Sequence, residues 1–119
     1  MTDPLQILID RDVHPRDLLA ESFTRPVELD LAGDLAEEGL NGALDAVDVL
    51  VTTSRLPVSR RVLAETGVPM VAKFGTGIDN VDLEAAAEAG TTVAYTPGLN
   101  ALSVAEHAVT LLLAVRRNL

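Results

Sequence analysis

Apolar residues along the chain fall in short β-rich runs separated by stretches of helical spacing, the signature of βα units laid on a parallel sheet. Residues 5–10 (LQILID) predict a buried first strand. A short helix follows over 14–22, with Pro15 at an early position where its missing N–H costs nothing. Residues 27–31 alternate apolar and acidic side chains, as an edge or half-exposed strand does. Residues 33–44 are acidic and weakly amphipathic, a surface helix interrupted by Gly39 and Gly42. A third strand over 47–52 (VDVLVT) ends in polar Thr52, Thr53 and Ser54. Residues 59–66 read as a short helix that Gly67 ends. The fourth strand, 70–74, runs straight into Gly75-Thr76-Gly77. A helix over 81–89 is expected to be capped by Asp79 or Asn80 and stopped by Gly90. A fifth strand over 91–95 closes at Thr96-Pro97-Gly98.

The last segment carries the strongest local signal. Ser103-Val104-Ala105-Glu106 matches the capping box, in which the Ser and Glu side chains each satisfy an N–H of the first turn. From 104 to 115 the helix is apolar almost all round, which calls for burial on every side or for a partner. Arg116 and Arg117 suit the negative end of its dipole. Five strands and about as many helices, with no internal repeat or linker, predict a single flavodoxin-like doubly wound α/β domain with a five-stranded parallel sheet over residues 1–119.

Composition narrows the function. The chain of 119 residues is one domain's worth. It has no Cys, which excludes a disulfide framework, a thiolate metal site and a cysteine nucleophile. Aromatics at 3% and a net charge of −9 argue against nucleic acid, which needs stacking platforms and basic surface. No apolar run is long enough to span a membrane and the N-terminus is not a signal sequence, so a soluble cytoplasmic location is expected. Lys73 is the sole lysine beside eight arginines, and acids outnumber bases 18 to 9. Adaptation to high salt and codon bias in a GC-rich genome both produce this balance, and composition leaves both open.

In a doubly wound sheet, ligands bind beyond the carboxyl ends of the strands. Gly75-Thr76-Gly77-Ile78-Asp79 places two glycines in such a strand-to-helix turn. Glycine allows close backbone approach and presents N–H groups to an anion, though a tight turn needing positive φ explains the same residues. The dinucleotide fingerprint is absent, because Asn80 stands where its third glycine belongs and Asp79 would repel a pyrophosphate. A small carboxylate fits better. Thr96-Pro97-Gly98-Leu99-Asn100 brings an amide to the same edge, and is also an ordinary Pro-Gly turn. His14 and His107 lack companion ligands, so no metal site is expected. Asp10 and Asp12 are placed like the acidic pair of a phosphoacceptor receiver, but Thr52 and Thr53 occupy the place of the acceptor Asp.

From Val49 onwards, about 60% of the chain resembles the D-isomer-specific 2-hydroxyacid dehydrogenases. The resemblance rests on Pro57-Val58-Ser59, Val62-Leu63, Gly75-Thr76-Gly77-Ile78-Asp79-Asn80-Val81-Asp82-Leu83, Ala85-Ala86, Gly90 and Val93. It continues through Thr96-Pro97-Gly98, Asn100, Ser103-Val104-Ala105-Glu106-His107 and Arg117-Asn118. It implies two doubly wound domains in the intact enzyme, of which these residues are the substrate-binding one and the nucleotide-binding one is absent. It further implies that a small 2-hydroxy or 2-oxo acid binds here, its carboxylate at the N–H groups of Thr76 and Gly77 on the Gly75 turn. Asn100 would lie near the reacting end, and Thr53 and Ser54 would line the pocket. Phosphoglycerate-type members have Arg-Ser at that strand end, whereas this chain has Thr53-Ser54 with Arg55 one step later, which puts a phosphorylated substrate in doubt. Lys73 matches a position that is often basic. NAD or NADP would serve the full-length enzyme, oxidising the hydroxy acid by hydride transfer. The family's dinucleotide fingerprint and its catalytic Arg, carboxylate and His match positions beyond Leu119. No catalytic residue and no cofactor site is therefore expected within the chain, nor turnover by it alone. A homodimer is the expected assembly. The alternative is a stand-alone binding module that has lost catalysis and pairs through its apolar final helix.

Overall fold

The computed structural model describes residues 3–10, 21–31 and 37–119. Five strands, β1 (Leu5–Ile9), β2 (Val27–Leu31), β3 (Val49–Thr52), β4 (Met70–Lys73) and β5 (Thr92–Ala94), form one sheet of order β2-β1-β3-β4-β5 with every pairing parallel. Four described helices accompany them: α1 (Glu37–Ala43), α2 (Arg60–Thr66), α3 (Leu83–Ala89) and α4 (Ala101–Arg117). The expected doubly wound architecture is borne out, with the half-exposed strand β2 at an edge.

Alternation along each strand divides the core between the two faces of the sheet. Leu8, Leu50 and Val71 pack with Leu40, Val62, Leu63, Ala85 and Ala86 from α1, α2 and α3, which therefore share one face. The right-handed rule for parallel crossovers requires this, because the connections β2→β3, β3→β4 and β4→β5 all step in the same direction across the sheet. Ile7, Ile9 and Val51 form a second, smaller cluster on the opposite face with Val49 and Ala72.

Local chemistry sets the helix ends. Ser59 caps α2 by accepting from the Val62 N–H at 3.4 Å, and Gly67 closes it by donating to the Leu63 carbonyl. Gly90 closes α3 as expected. Three expectations need correction. The cap of α3 is Asp82, which accepts from the Ala85 N–H at 2.9 Å, rather than Asp79 or Asn80. The preceding residues are held in a bridge instead: the Val58 N–H donates to the Asn80 carbonyl at 2.8 Å and the Asp82 N–H donates back to the Val58 carbonyl at 3.0 Å. The capping box also does not form. The Pro97-Gly98 turn passes directly into α4, the Ala101 N–H donating to the Gly98 carbonyl, so the helix starts at Ala101 and Ser103 lies inside its first turn. Lastly, α1 runs unbroken through Gly39 and Gly42. The helix expected over 14–22 and the residues Asp12 and His14 fall mainly or wholly outside the described residues.

The radius of gyration is 17.2 Å, against about 13–14 Å for a compact chain of this length. The longest dimension, 59 Å, reflects α4, none of whose residues is buried.

Candidate functional site

The carboxyl ends of β1, β3, β4 and β5 are tied together by side chains. Asp10, just past β1, accepts from the Thr53 N–H at 3.0 Å and from the Thr53 hydroxyl. The Asn80 amide, in the loop after β4, donates to the Thr53 carbonyl at 2.9 Å and to the Leu56 carbonyl at 2.6 Å. Thr96, past β5, donates to the Gly75 carbonyl through both its N–H, at 3.4 Å, and its hydroxyl, at 3.2 Å. Four segments distant in sequence are thereby tied together around one space.

That space is a cleft of about 440 Å³ lined by Ser54, Lys73, Phe74, Gly75, Thr76, Gly77, Asp79, Asn80 and Asn100. Its floor is the strand-to-loop turn at Gly75, whose φ of 139° suits glycine and strains other residues. Among the described residues, nothing accepts from the N–H groups of Thr76 and Gly77. Neighbouring N–H groups without partners make an anion-binding concavity. Opposite charges meet here: Asp79 contributes a carboxylate and Lys73 an ammonium. Lys73 is only 5% exposed, and among the described residues its Nζ has no hydrogen-bond partner. Burial pushes its pKa below the ordinary lysine value, while Asp10 and then Asp79 pull it back up.

Of the residues expected from the sequence, Ser54, Gly75, Thr76, Gly77 and Asn100 come together in this cleft. Thr53 does not line it. Its N–H and hydroxyl are engaged by Asp10 and its carbonyl by Asn80, so it braces the loop from below. Asn80 was legible only as a missing glycine or a helix cap, and Asp10 only as half of an acidic pair. Their partners lie 24 to 43 residues away, and no local pattern encodes them. Lys73, the sole lysine of an acidic chain, carried a compositional signal. Among the described residues, no group of three or more His, Asp or Glu is placed to hold a metal. No described helix is long and apolar enough to cross a membrane.

The strand order defines a doubly wound α/β domain with a polar cleft at the carboxyl edge of its sheet, where such folds bind ligands. Residues 7–114 match the family described as D-isomer specific 2-hydroxyacid dehydrogenase, catalytic domain, and the chain belongs to that family. D-3-phosphoglycerate dehydrogenase 2, chloroplastic, of Arabidopsis thaliana is 38% identical over 93 residues, 76% of this chain and 15% of that protein. Hydroxypyruvate reductase of Thermotoga maritima is 35% identical over 113 residues, 90% of this chain and 37% of that protein. The crystal structure of NAD-dependent formate dehydrogenase from Staphylococcus aureus in complex with NAD has a TM-score of 0.75 at 27% identity, covering 96% of this chain and 39% of that one. The chain thus spans well under half the length of each of these relatives. The family is one of oxidoreductases.

The glycine turn is separated from the next helix N-terminus, unlike the turn of a dinucleotide-binding fingerprint. A pyrophosphate seats on a helix whose N-terminus follows the glycine turn at once. Here α3 begins only at Leu83, its first turn is already capped by Asp82, and the Asp79 carboxylate stands in the cleft.

Proposed function

We propose that these residues are the substrate-binding domain of an NAD- or NADP-dependent D-2-hydroxyacid dehydrogenase, holding a small 2-hydroxy or 2-oxo acid in the cleft at Gly75-Thr76-Gly77. The observation that carries this reading is the pair of unpartnered N–H groups at Thr76 and Gly77 on a turn facing a polar cleft. The substrate carboxylate accepts from that pair. Ser54 and Asn100 supply hydroxyl and amide groups for the oxygen at the reacting carbon. Thr53 supports the loop rather than touching substrate.

Arg55 does not line the cleft, and among the described residues Lys73 is its one cation. This favours an acid without a phosphate group. In this reading the nicotinamide carries the hydride, and the second domain supplies it together with the Arg, carboxylate and His that handle charge and proton. The domain alone then binds acid without turning it over. The intact enzyme is cytoplasmic and homodimeric.

Amide NMR of the chain titrated with glycolate and with oxamate tests the reading. Shifts centred on Ser54, Gly75, Thr76, Gly77 and Asn100 are expected, and no response at Thr76 and Gly77 would overturn it. A second reading, a non-catalytic module that docks through α4, is favoured by the exposure of that apolar helix, none of whose residues is buried. It requires no acid response at all.

A further inference from the structure

Lys73 ends β4 at the floor of the cleft, 5% exposed, with Nζ enclosed and without a hydrogen-bond partner among the described residues. Folded proteins rarely leave a buried charged donor in this condition, and such a group points to a missing acceptor. The two carboxylates nearest in effect do not fill the role. Asp10, at the end of β1, is engaged by the Thr53 N–H and hydroxyl. Asp79, in the loop after β4, acts on Lys73 through space without a hydrogen bond. The remaining described polar residues that line the cleft, Ser54, Thr76, Asn80 and Asn100, carry no charge.

We propose that Lys73 is the charged anchor of this cleft, its ammonium completed by an anionic oxygen of the bound acid whose carboxylate also faces the N–H groups of Thr76 and Gly77. The inference rests on reading the cleft as an acid site and adds a residue and a proton to that reading. A buried ammonium beside an anion is stabilised in its charged form, so ligand and proton bind together. The sign follows. Burial lowers the pKa of Lys73 in the empty cleft and the incoming anion raises it again. Binding is therefore full below the pKa of the empty cleft and is lost as pH rises through that of the complex.

The chain's sole lysine makes the test direct. Protein labelled with ¹³C at lysine Cε gives one side-chain signal to follow across a pH titration, with and without saturating glycolate. Without ligand it should titrate below free lysine, and glycolate should raise its midpoint by about half a pH unit or more. Lys73→Met should weaken glycolate binding by about tenfold or more, and Lys73→Arg should restore most of the loss. If glycolate moves the Thr76 and Gly77 amides but leaves the Lys73 signal and its titration unchanged, the anchor is wrong and the acid site stands. If those amides do not respond either, both fall. The wild-type titration decides the matter even if Lys73→Met does not fold.

Discussion

Gly75 and Gly77 sit two residues apart and constrain the cleft in different ways. At Gly75 the constraint is the backbone: φ is 139°, while a Cβ would meet nothing within 4 Å. Alanine there is strained wherever its methyl points, and Gly75→Ala should cost about 1–3 kcal/mol of stability. At Gly77 the φ is ordinary, and a Cβ would lie 3.6 Å from Asp79 Oδ2, a normal contact. Gly77→Ala should therefore leave the unfolding free energy from urea denaturation within about 0.5 kcal/mol of the parent, yet reduce glycolate affinity by placing a methyl at the anion's approach. Denaturation and an NMR titration on the two variants separate these roles. A large stability loss at Gly77 would mean that the turn, rather than a ligand, fixes that glycine.

At the scale of elements, the two caps read differently from sequence pattern and from backbone path. Asp82 holds the first turn of α3, and Asp82→Ala should cost about 1 kcal/mol. Ser103, despite its match to a capping box, lies within α4, and Ser103→Ala should change stability by less than about 0.5 kcal/mol. Thermal melts of the two variants check both, and equal losses would restore the capping box. The contrast shows what the sequence can carry. Strand positions, the βα order and the Gly67 and Gly90 stops were legible because periodicity and glycine punctuation are local. The start of α3 was misplaced because Asn80 and Asp82 pair with Val58, more than twenty residues away, and that bridge holds the intervening Val81 out of the helix. The cleft follows the same division. Its glycine turn was readable in one stretch of chain. The Asp10–Thr53–Asn80 brace that fixes its walls appears only once the sheet brings three strand ends together.

At the scale of the whole molecule, the described residues leave two apolar surfaces open. Leu102, Leu112 and Val115 of α4 are 73%, 69% and 77% exposed, and Val104, Val109, Leu111 and Leu113 are each more than half exposed. On the sheet face opposite α1, α2 and α3, an apolar groove of about 270 Å³ runs along Leu5, Val49, Val51, Met70 and Ala72 to Phe23 and Phe74. Soluble monomers rarely expose so much contiguous apolar area. A helix apolar almost all round gains little from water at most rotations about its axis. The expected outcome is concentration-dependent self-association of the 119-residue chain, read by sedimentation velocity. The double variant Leu112→Glu, Val115→Glu should shift it towards monomer while leaving the glycolate response of the distant cleft unchanged. Raising salt should strengthen association, because it screens the repulsion of a chain carrying −9 and favours apolar burial. A chain that stays monomeric at every concentration and salt would mean that α4 is covered from within. Its apolar side chains would then fold back on the Thr96–Asn100 connection to reach the open sheet face, and the 59 Å length would collapse towards that of a compact domain.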